Sequence, residues 1–157
     1  MIKKLAVLPA VAGLTVSMAG AAAATTTTAT TAPPAGRNVS ARVVVSTSHP
    51  NEAYLSGSYR CSGGAVLWAS VKQGGPNPTA EGSSATVDSW YDTHVPLNCN
   101  GAWHRLYVQV TKEKPNPGHP ANYVRLRPGA AWVQWCVAVN RQLVSSTTRW
   151  VRVVQSV

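Results

Sequence analysis

The sequence predicts an all-β domain, an Ig-like antiparallel β-sandwich of seven to nine short strands. Three observations carry this. Runs of alternating apolar and polar residues recur through 37–157, with the period of two that puts alternate side chains on opposite faces of a strand. Clusters of Gly, Pro, Asn and Ser punctuate those runs. No segment beyond residue 36 shows a sustained helical period. Charged residues make up only 12% of the chain, about half the usual share, and Gly, Ser, Thr and Pro fill the difference.

The elements follow in order. Val39, Ala41, Val43 and Val45 alternate in a first strand, and His49-Pro50-Asn51 turns the chain. Leu55, Gly57, Tyr59 and Cys61 line one face of the next strand, with Ser56, Ser58 and Arg60 opposite. Ser62-Gly63-Gly64 turns into a strand with Leu67, Ala69 and Val71 on one face and Trp68, Ser70 and Lys72 on the other. Ser84 to Tyr91 reads as a weaker strand after the Gly74 to Pro78 loop. Asn100-Gly101 reads as the two-residue type I′ turn of a hairpin, since both central positions need positive φ. Lys112 to Pro120 reads as an exposed loop and Tyr123 to Leu126 as a short strand. Ala131, Val133, Trp135, Val137 and Val139 alternate over a long strand, and Val151 and Val153 mark the last.

Ahead of the domain, residues 1–24 read as a cleaved secretory signal peptide: Lys3 and Lys4, an apolar run, then small residues around Ala21 to Ala24. The apolar run is shorter than the roughly 20 residues that span a bilayer. The expectation is therefore a secreted, extracellular protein with no membrane span in its mature chain. Residues 25–36 are a Thr/Ala/Pro-rich spacer with no apolar face to bury, expected to be disordered. Residues 37–157 form the β domain, long enough for a real core. Asn38-Val39-Ser40 matches a glycosylation sequon.

The chain is basic, with a formal charge of +9; losing Lys3 and Lys4 with the signal leaves +7. Its basic residues are scattered and never form the runs expected of a nucleic-acid binder, so nucleic acid is not an expected partner. An acidic polysaccharide or cell-wall polymer suits a secreted basic protein better. The chain has six Trp, five Tyr and no Phe, a choice of aromatic that points some of them to surfaces. If Leu106, Val108 and Val110 face inward, then Trp103, Arg105, Tyr107 and Gln109 face outward. Trp68 and Trp132 fall on the outward register of their own strands. Trp103, Arg105, Tyr107, Trp68 and Trp132 are thus the candidate ligand face, suited to stacking on sugar rings or clamping a partner.

Three cysteines in an exported chain imply one disulfide and one leftover thiol, and three pairings are open: 61–99, 61–136 and 99–136. Trp68 lies between Cys61 and Cys99 as in antibody-like domains, but Leu97 stands where those domains carry Tyr. The architecture is Ig-like without that superfamily's signature.

Four stretches carry a resemblance: Leu55-Ser56-Gly57-Ser58-Tyr59-Arg60-Cys61, the strand ending at Gln73, Cys99-Asn100-Gly101-Ala102-Trp103-His104, and Pro128-Gly129-Ala130-Ala131-Trp132-Val133. In order and spacing over Ala53 to Val139 they resemble the uncharacterised secreted actinobacterial proteins of the domain-of-unknown-function family 6299. The resemblance implies a signal peptide, a small β-sandwich and a Cys61–Cys99 disulfide. It implies no activity. Cys136 departs from the family's pattern, which leaves it a free or intermolecular thiol.

Chemistry-bearing constellations are few. Cys99, His104 and Gln109, with His49 upstream, have the ligand order of a blue-copper site with axial Gln, which makes a cupredoxin-like electron carrier one alternative. Alternation argues against it, because His104 and Gln109 fall on opposite faces of one strand. His94, Cys99 and His104 lack a fourth zinc ligand. Glu81, Asp88 and Asp92 offer calcium oxygens but read more simply as loop solvation. There is no Gly-x-Ser-x-Gly elbow and no positive case for an enzyme or a cofactor. The reading is a secreted, non-catalytic binding or surface-associated protein; a further alternative is a structural protein cross-linked through Cys136.

Overall fold

The computed structural model describes residues 32–37, 39–81, 84–113 and 123–156. Eight strands are present: β1 (Ala35–Arg37), β2 (Arg42–Val45), β3 (Glu52–Ser62), β4 (Val66–Gln73), β5 (Ser89–Pro96), β6 (Asn100–Lys112), β7 (Gly129–Val139) and β8 (Gln142–Gln155). The expected signal peptide, most of the expected spacer, Asn38 and nearly all of the expected Lys112 to Pro120 loop lie outside the described residues. Ala35 and Gly36, expected as the end of the spacer, are the first residues of β1.

The all-β class holds, but the sandwich does not. The strands run β3-β2-β8-β7-β4-β5-β6, and β6 pairs back onto β3, so one sheet closes on itself as a seven-stranded barrel. The closing seam is the β3–β6 ladder, antiparallel from Glu52↔Thr111 to Ser62↔Asn100. β1 and β2 share one lane beside β3: β1 pairs with Arg60 to Ser58, and β2 with Tyr54 and Ala53. The sheet is also not wholly antiparallel, because β2 runs parallel to β8. Alternation in a sequence shows which side chains share a face. It is equally satisfied by two facing sheets and by one closed sheet, which is why it could not separate them.

The inward set is the one that alternation picks out. Val43, Val45, Ala53, Leu55, Leu67, Ala69, Val71, Val108, Val110, Val133, Val151 and Val153 fill the barrel around Trp135. Trp135 is wholly buried and sits against Gly57, where a Cβ would lie 2.7 Å from its Cε2 atom. Gly57 is therefore the close-approach position that lets an indole occupy the barrel axis.

Three local expectations are corrected. Asn100-Gly101 is not a hairpin turn: β5 and β6 pair only at Tyr91↔Lys112 and Asp92↔Thr111, and Asn100 already pairs with Ser62. The positive φ of Gly101, 84°, belongs instead to an irregularity between Arg60 and Ser62, the left-handed glycine of a β-bulge. The two-residue turn of positive φ is Asn140-Arg141, at 50° and 64°, joining β7 to β8. Ser84 to Asp88 is not strand; β5 begins at Ser89. Tyr123 to Leu126 is not strand either.

Half of β8 escaped the sequence because its inward residues are polar. Ser145 Oγ accepts from the Gly36 amide (2.9 Å), and Thr147 Oγ1 donates to the Gly36 carbonyl (2.8 Å). Arg149 Nη1 donates to the Val39 carbonyl (3.1 Å). Ser145 and Thr147 join β8 to the short β1 where no backbone ladder does, and the exposed Arg149 reaches the chain just beyond it, so a polar run serves where an apolar face was expected.

Candidate functional site

Closing the sheet distributes the outward aromatics around the barrel. The five expected ligand-face residues fall in three patches, and only Trp103, Arg105 and Tyr107 share one.

That patch is the outer face of β3 and β6, with β1 at its edge. Cross-strand register sets Arg60 opposite Trp103, Ser58 opposite Arg105 and Ser56 opposite Tyr107. Arg37 lays its guanidinium carbon 3.7 Å from the centre of the Trp103 ring system, and Arg60 stands at 5.1 Å. An indole face attracts cations, so Trp103 gathers two guanidinium groups beside a third on Arg105. Tyr107 is the most exposed large aromatic of the patch, at 65%. Tyr54, one diagonal position away on β3, stacks on it with rings 5.6 Å apart and 4° from parallel. The Tyr54 hydroxyl donates to Glu52 Oε2 at 3.1 Å, and this hydrogen bond to the carboxylate pushes the phenol above its ordinary pKa. The strip is thus polarised: arginines at the bulge end, two stacked tyrosines in the middle, one carboxylate at the far end. Tyr54 shares the outward parity of Ser56, Ser58 and Arg60, so the sequence carried its signal.

Trp68 belongs to β4 and β5. It stacks on His94 (6.1 Å, 5°) and its Nε1 donates to Asp92 Oδ2 at 3.4 Å. Beside it lies a groove of about 430 Å³ walled by Val66, Trp68, His94, Cys136, Ala138 and Leu143. Trp132 belongs to β7 and β8 and packs edge-on against Trp150 (5.4 Å, 65°); Trp150 is half exposed and carries the outward parity of the last strand.

Between these patches the outer face of β4 and β7 is covered. The chain following β4 folds back across it, packing Ala80, Ala85 and Val87 with Trp68, with Trp90 of β5 and with Tyr123 from the segment before β7. Lys72, Ser70, Gln134 and Cys136 point outward by register yet are buried. Lys72 Nζ donates to the Ala80 carbonyl and lies 5.0 Å from the Trp90 ring centre. Burial lowers its pKa, opposed by Cys136 and Glu81. Ser70 Oγ donates to Gln134 Oε1 at 3.4 Å.

Cys61 and Cys99 are disulfide-bonded, and Cys136 is the free cysteine. The bond removes the thiolate that the copper reading required. His104 Nε2 lies 2.7 Å from Asn100 Oδ1, and the ring stacks on Tyr59, while Gln109 faces the opposite side of β6. His49 Nδ1 lies 3.1 Å from Ser48 Oγ. Among the described residues no group of three or more His, Cys, Asp or Glu side chains could hold a metal ion. Cys136 is 1% exposed, its Sγ 3.4 Å from Ser146 Oγ. Burial raises its thiol pKa, which the Ser146 contact partly offsets. A cross-link between chains through Cys136 would first require this face to open. Among the described residues no helix is long and apolar enough to cross a membrane.

No family model matches the chain, and no curated protein does. Among solved structures, it is similar to a glycosyl hydrolase family 2 member from Bacteroides cellulosilyticus DSM 14838, at 10% identity and a TM-score of 0.43 over 78% of this chain and 16% of that one. It is also similar to DesR, a beta-glucosidase from Streptomyces venezuelae in complex with D-glucose, at 20% identity and a TM-score of 0.34 over 73% of this chain and 14% of that one. The chain thus spans about a sixth or less of the length of these two structures.

Proposed function

We propose that this is a secreted, non-catalytic β-barrel protein of family 6299 that binds an acidic polysaccharide or cell-wall polymer on the outer face of β3 and β6. The observation that carries the reading is the clustering of Arg37 and Arg60 over Trp103, beside Arg105 and the stacked Tyr54–Tyr107 pair. The apolar face of a sugar ring stacks on an exposed aromatic, and a guanidinium pairs in two-pronged fashion with carboxylate or phosphate. An extended anionic polymer lying along the strands meets both in sequence. Trp103 is partly covered by Arg37, so Tyr107 supplies the open stacking surface and Trp103 holds the arginines in place. Glycoside hydrolysis in its common form needs two carboxyl groups flanking the bond, whereas among the described residues the outer face of β3 and β6 carries Glu52 alone, tied to the Tyr54 hydroxyl.

The test is co-sedimentation of the full chain with insoluble polygalacturonate, with cellulose as the neutral comparison. Retention on polygalacturonate is expected to fall as salt rises, because exposed charges are screened beyond about 10 Å at 0.1 M. Tyr107→Ala, Trp103→Ala and Arg105→Ala are each expected to weaken retention while leaving a cooperative thermal transition. Equal retention by Tyr107→Ala and Arg105→Ala overturns the reading.

A further inference from the structure

The barrel is closed by two residue pairs on one side of β6 and by a full ladder on the other. Lys112 N bonds to the Asn51 carbonyl, across to the β3 side, and Glu113 N bonds to the Trp90 carbonyl, across to the β5 side. Backbone groups of alternate residues point to opposite edges of a strand. The even-numbered residues of β6 from His104 to Val110 therefore pair with β3. The N–H and C=O groups of Trp103, Arg105, Tyr107 and Gln109 point toward β5. Yet β5 reaches β6 only at Tyr91↔Lys112 and Asp92↔Thr111. Among the described residues, no strand pairs with β6 along that second edge between Asn100 and Val110.

The seam is a gap bounded at both ends, by the Asp92↔Thr111 pair at one and by residues 97–99, which carry the chain from β5 to β6, at the other. On its far side, Leu97 N bonds to the Ala65 carbonyl, so the odd positions of β5 serve β4 and the even positions face the seam. Pro96 is one of these and has no N–H to offer. β5 is thus a poor pairing edge, while β6 is a complete one. Beneath the seam, Val95, Leu97 and Leu106 are only half-buried, although they pack against the core.

We propose that the free edge of β6 is a docking strand for an extended acidic polypeptide segment whose residues alternate apolar and acidic. Such a segment would pair with the backbone of Trp103, Arg105, Tyr107 and Gln109. Its apolar side chains would cover Val95, Leu97 and Leu106, and its acidic ones would emerge beside Arg105. Charge selects the occupant. The end of the free edge nearer Asn100 carries Arg105 with Arg37 and Arg60 close by, while Asp92 and Glu113 lie at the paired end. A second copy would bring the same arginine to the same edge and a chain of the same positive sign, so self-pairing is disfavoured where an acidic segment is favoured.

Amide hydrogen exchange read by NMR on the full chain, with its disulfide intact, tests this directly. In the free protein the amides of Trp103, Arg105, Tyr107 and Gln109 are expected to exchange at least about tenfold faster than those of Leu106, Val108 and Val110. The probe is acetyl-Val-Glu-Val-Glu-Val-Glu-Val-amide. At saturation it should slow the four fast amides about tenfold or more. Its fully N-methylated counterpart and its Lys-for-Glu counterpart should do neither. Protection of the four amides in the free monomer overturns the proposal, because the edge is then already covered. Protection that grows with protein concentration alone overturns it in favour of self-pairing. Equal effect of the N-methylated peptide overturns it as well. The inference stands apart from polymer binding: Tyr107→Ala removes a stacking ring but keeps the backbone, so it should weaken polymer retention and leave peptide protection intact.

Discussion

Gly57→Ala probes the packing on which the barrel depends. Glycine lies inside an eleven-residue strand, where it is ordinarily a poor choice. An added Cβ would sit 2.7, 2.8 and 2.9 Å from Cε2, Cζ2 and Cδ2 of Trp135. Carbon atoms in contact settle at about 3.5–4.0 Å, so the ring would have to withdraw by nearly 1 Å. It has nowhere to go. Trp135 is fully buried, and across the ring a Cβ on Gly36 would already lie 2.9 Å from Cδ1. Overpacking of this kind costs about 1–3 kcal/mol, and a rigid indole pinned on two sides belongs at the upper end. Replacing Gly also stiffens the unfolded chain, which returns about 0.4–1 kcal/mol. The net expected loss is about 2 kcal/mol. With a urea m-value of about 2 kcal/mol/M, the unfolding midpoint should drop by about 1 M at unchanged m. Tryptophan fluorescence reads the transition. The control is a double-mutant cycle with Trp135→Leu, in which the methyl meets no ring and Gly57→Ala should be neutral or mildly stabilising. A cost below 1 kcal/mol in the wild-type background, or the same cost in both backgrounds, would refute the argument.

Removing the disulfide as Cys61→Ala/Cys99→Ala should cost about 4 kcal/mol on the chain-entropy estimate for a separation of 38 residues; urea unfolding of the double variant, and of the wild type with and without reductant, measures it. Lys72 has a pKa lowered by burial, so the unfolded chain binds more protons between its folded value and the ordinary 10.5. The penalty of burying its charge is full below the folded value and lifts as pH rises through that window. Lys72→Met removes the penalty, so the stability advantage of the variant over the wild type should shrink from pH 7 to pH 10; an advantage that grows with pH contradicts the sign. Cys136 is buried with a raised thiol pKa, so iodoacetamide should label it slowly in native protein and quickly in urea, as intact mass will show. Rapid labelling of native protein would mean that the covering chain opens.

The parity of the strands was legible because it needs only local information. Leu55, Gly57, Tyr59 and Cys61 face in, Trp103, Arg105 and Tyr107 face out, and the core falls where period-two alternation puts it. Closure was not legible, because β3 pairs with β6 and β2 with β8 across long separations that alternation does not record. The Asn100-Gly101 dipeptide misled for a physical reason: a left-handed glycine serves a bulge as readily as a turn. Asn140-Arg141 shows the converse, a hairpin turn made without glycine. The polar half of β8 was hidden because Ser145 and Thr147 take the inward register to satisfy Gly36 of β1. As for the site, register alone placed Trp68 and Trp132 outward. Only the strand order shows that they sit on other flanks of the barrel than Trp103.

The disulfide and the seam explain each other. Residues 97–99 leave β5, pass over the barrel mouth where Asn98 N bonds to the Tyr59 hydroxyl, and reach β3 at Cys61. β6 then returns along β3, away from β5. A chain crossing in this way gives up the hydrogen bonds that a tight β5–β6 hairpin would have formed. Cys61–Cys99 fixes the crossing at the end of the barrel that lacks those bonds, and it lies among Tyr59, Ala65, Leu97, Leu106 and Val137 in its own apolar cluster. The covalent link therefore holds the seam open at one end as much as it holds the barrel closed. Reducing it should loosen the Asn100 end of β6 before the Lys112 end, where the Asp92↔Thr111 pair still holds. The order in which those two ends lose amide protection on reduction distinguishes a local clamp from a general brace.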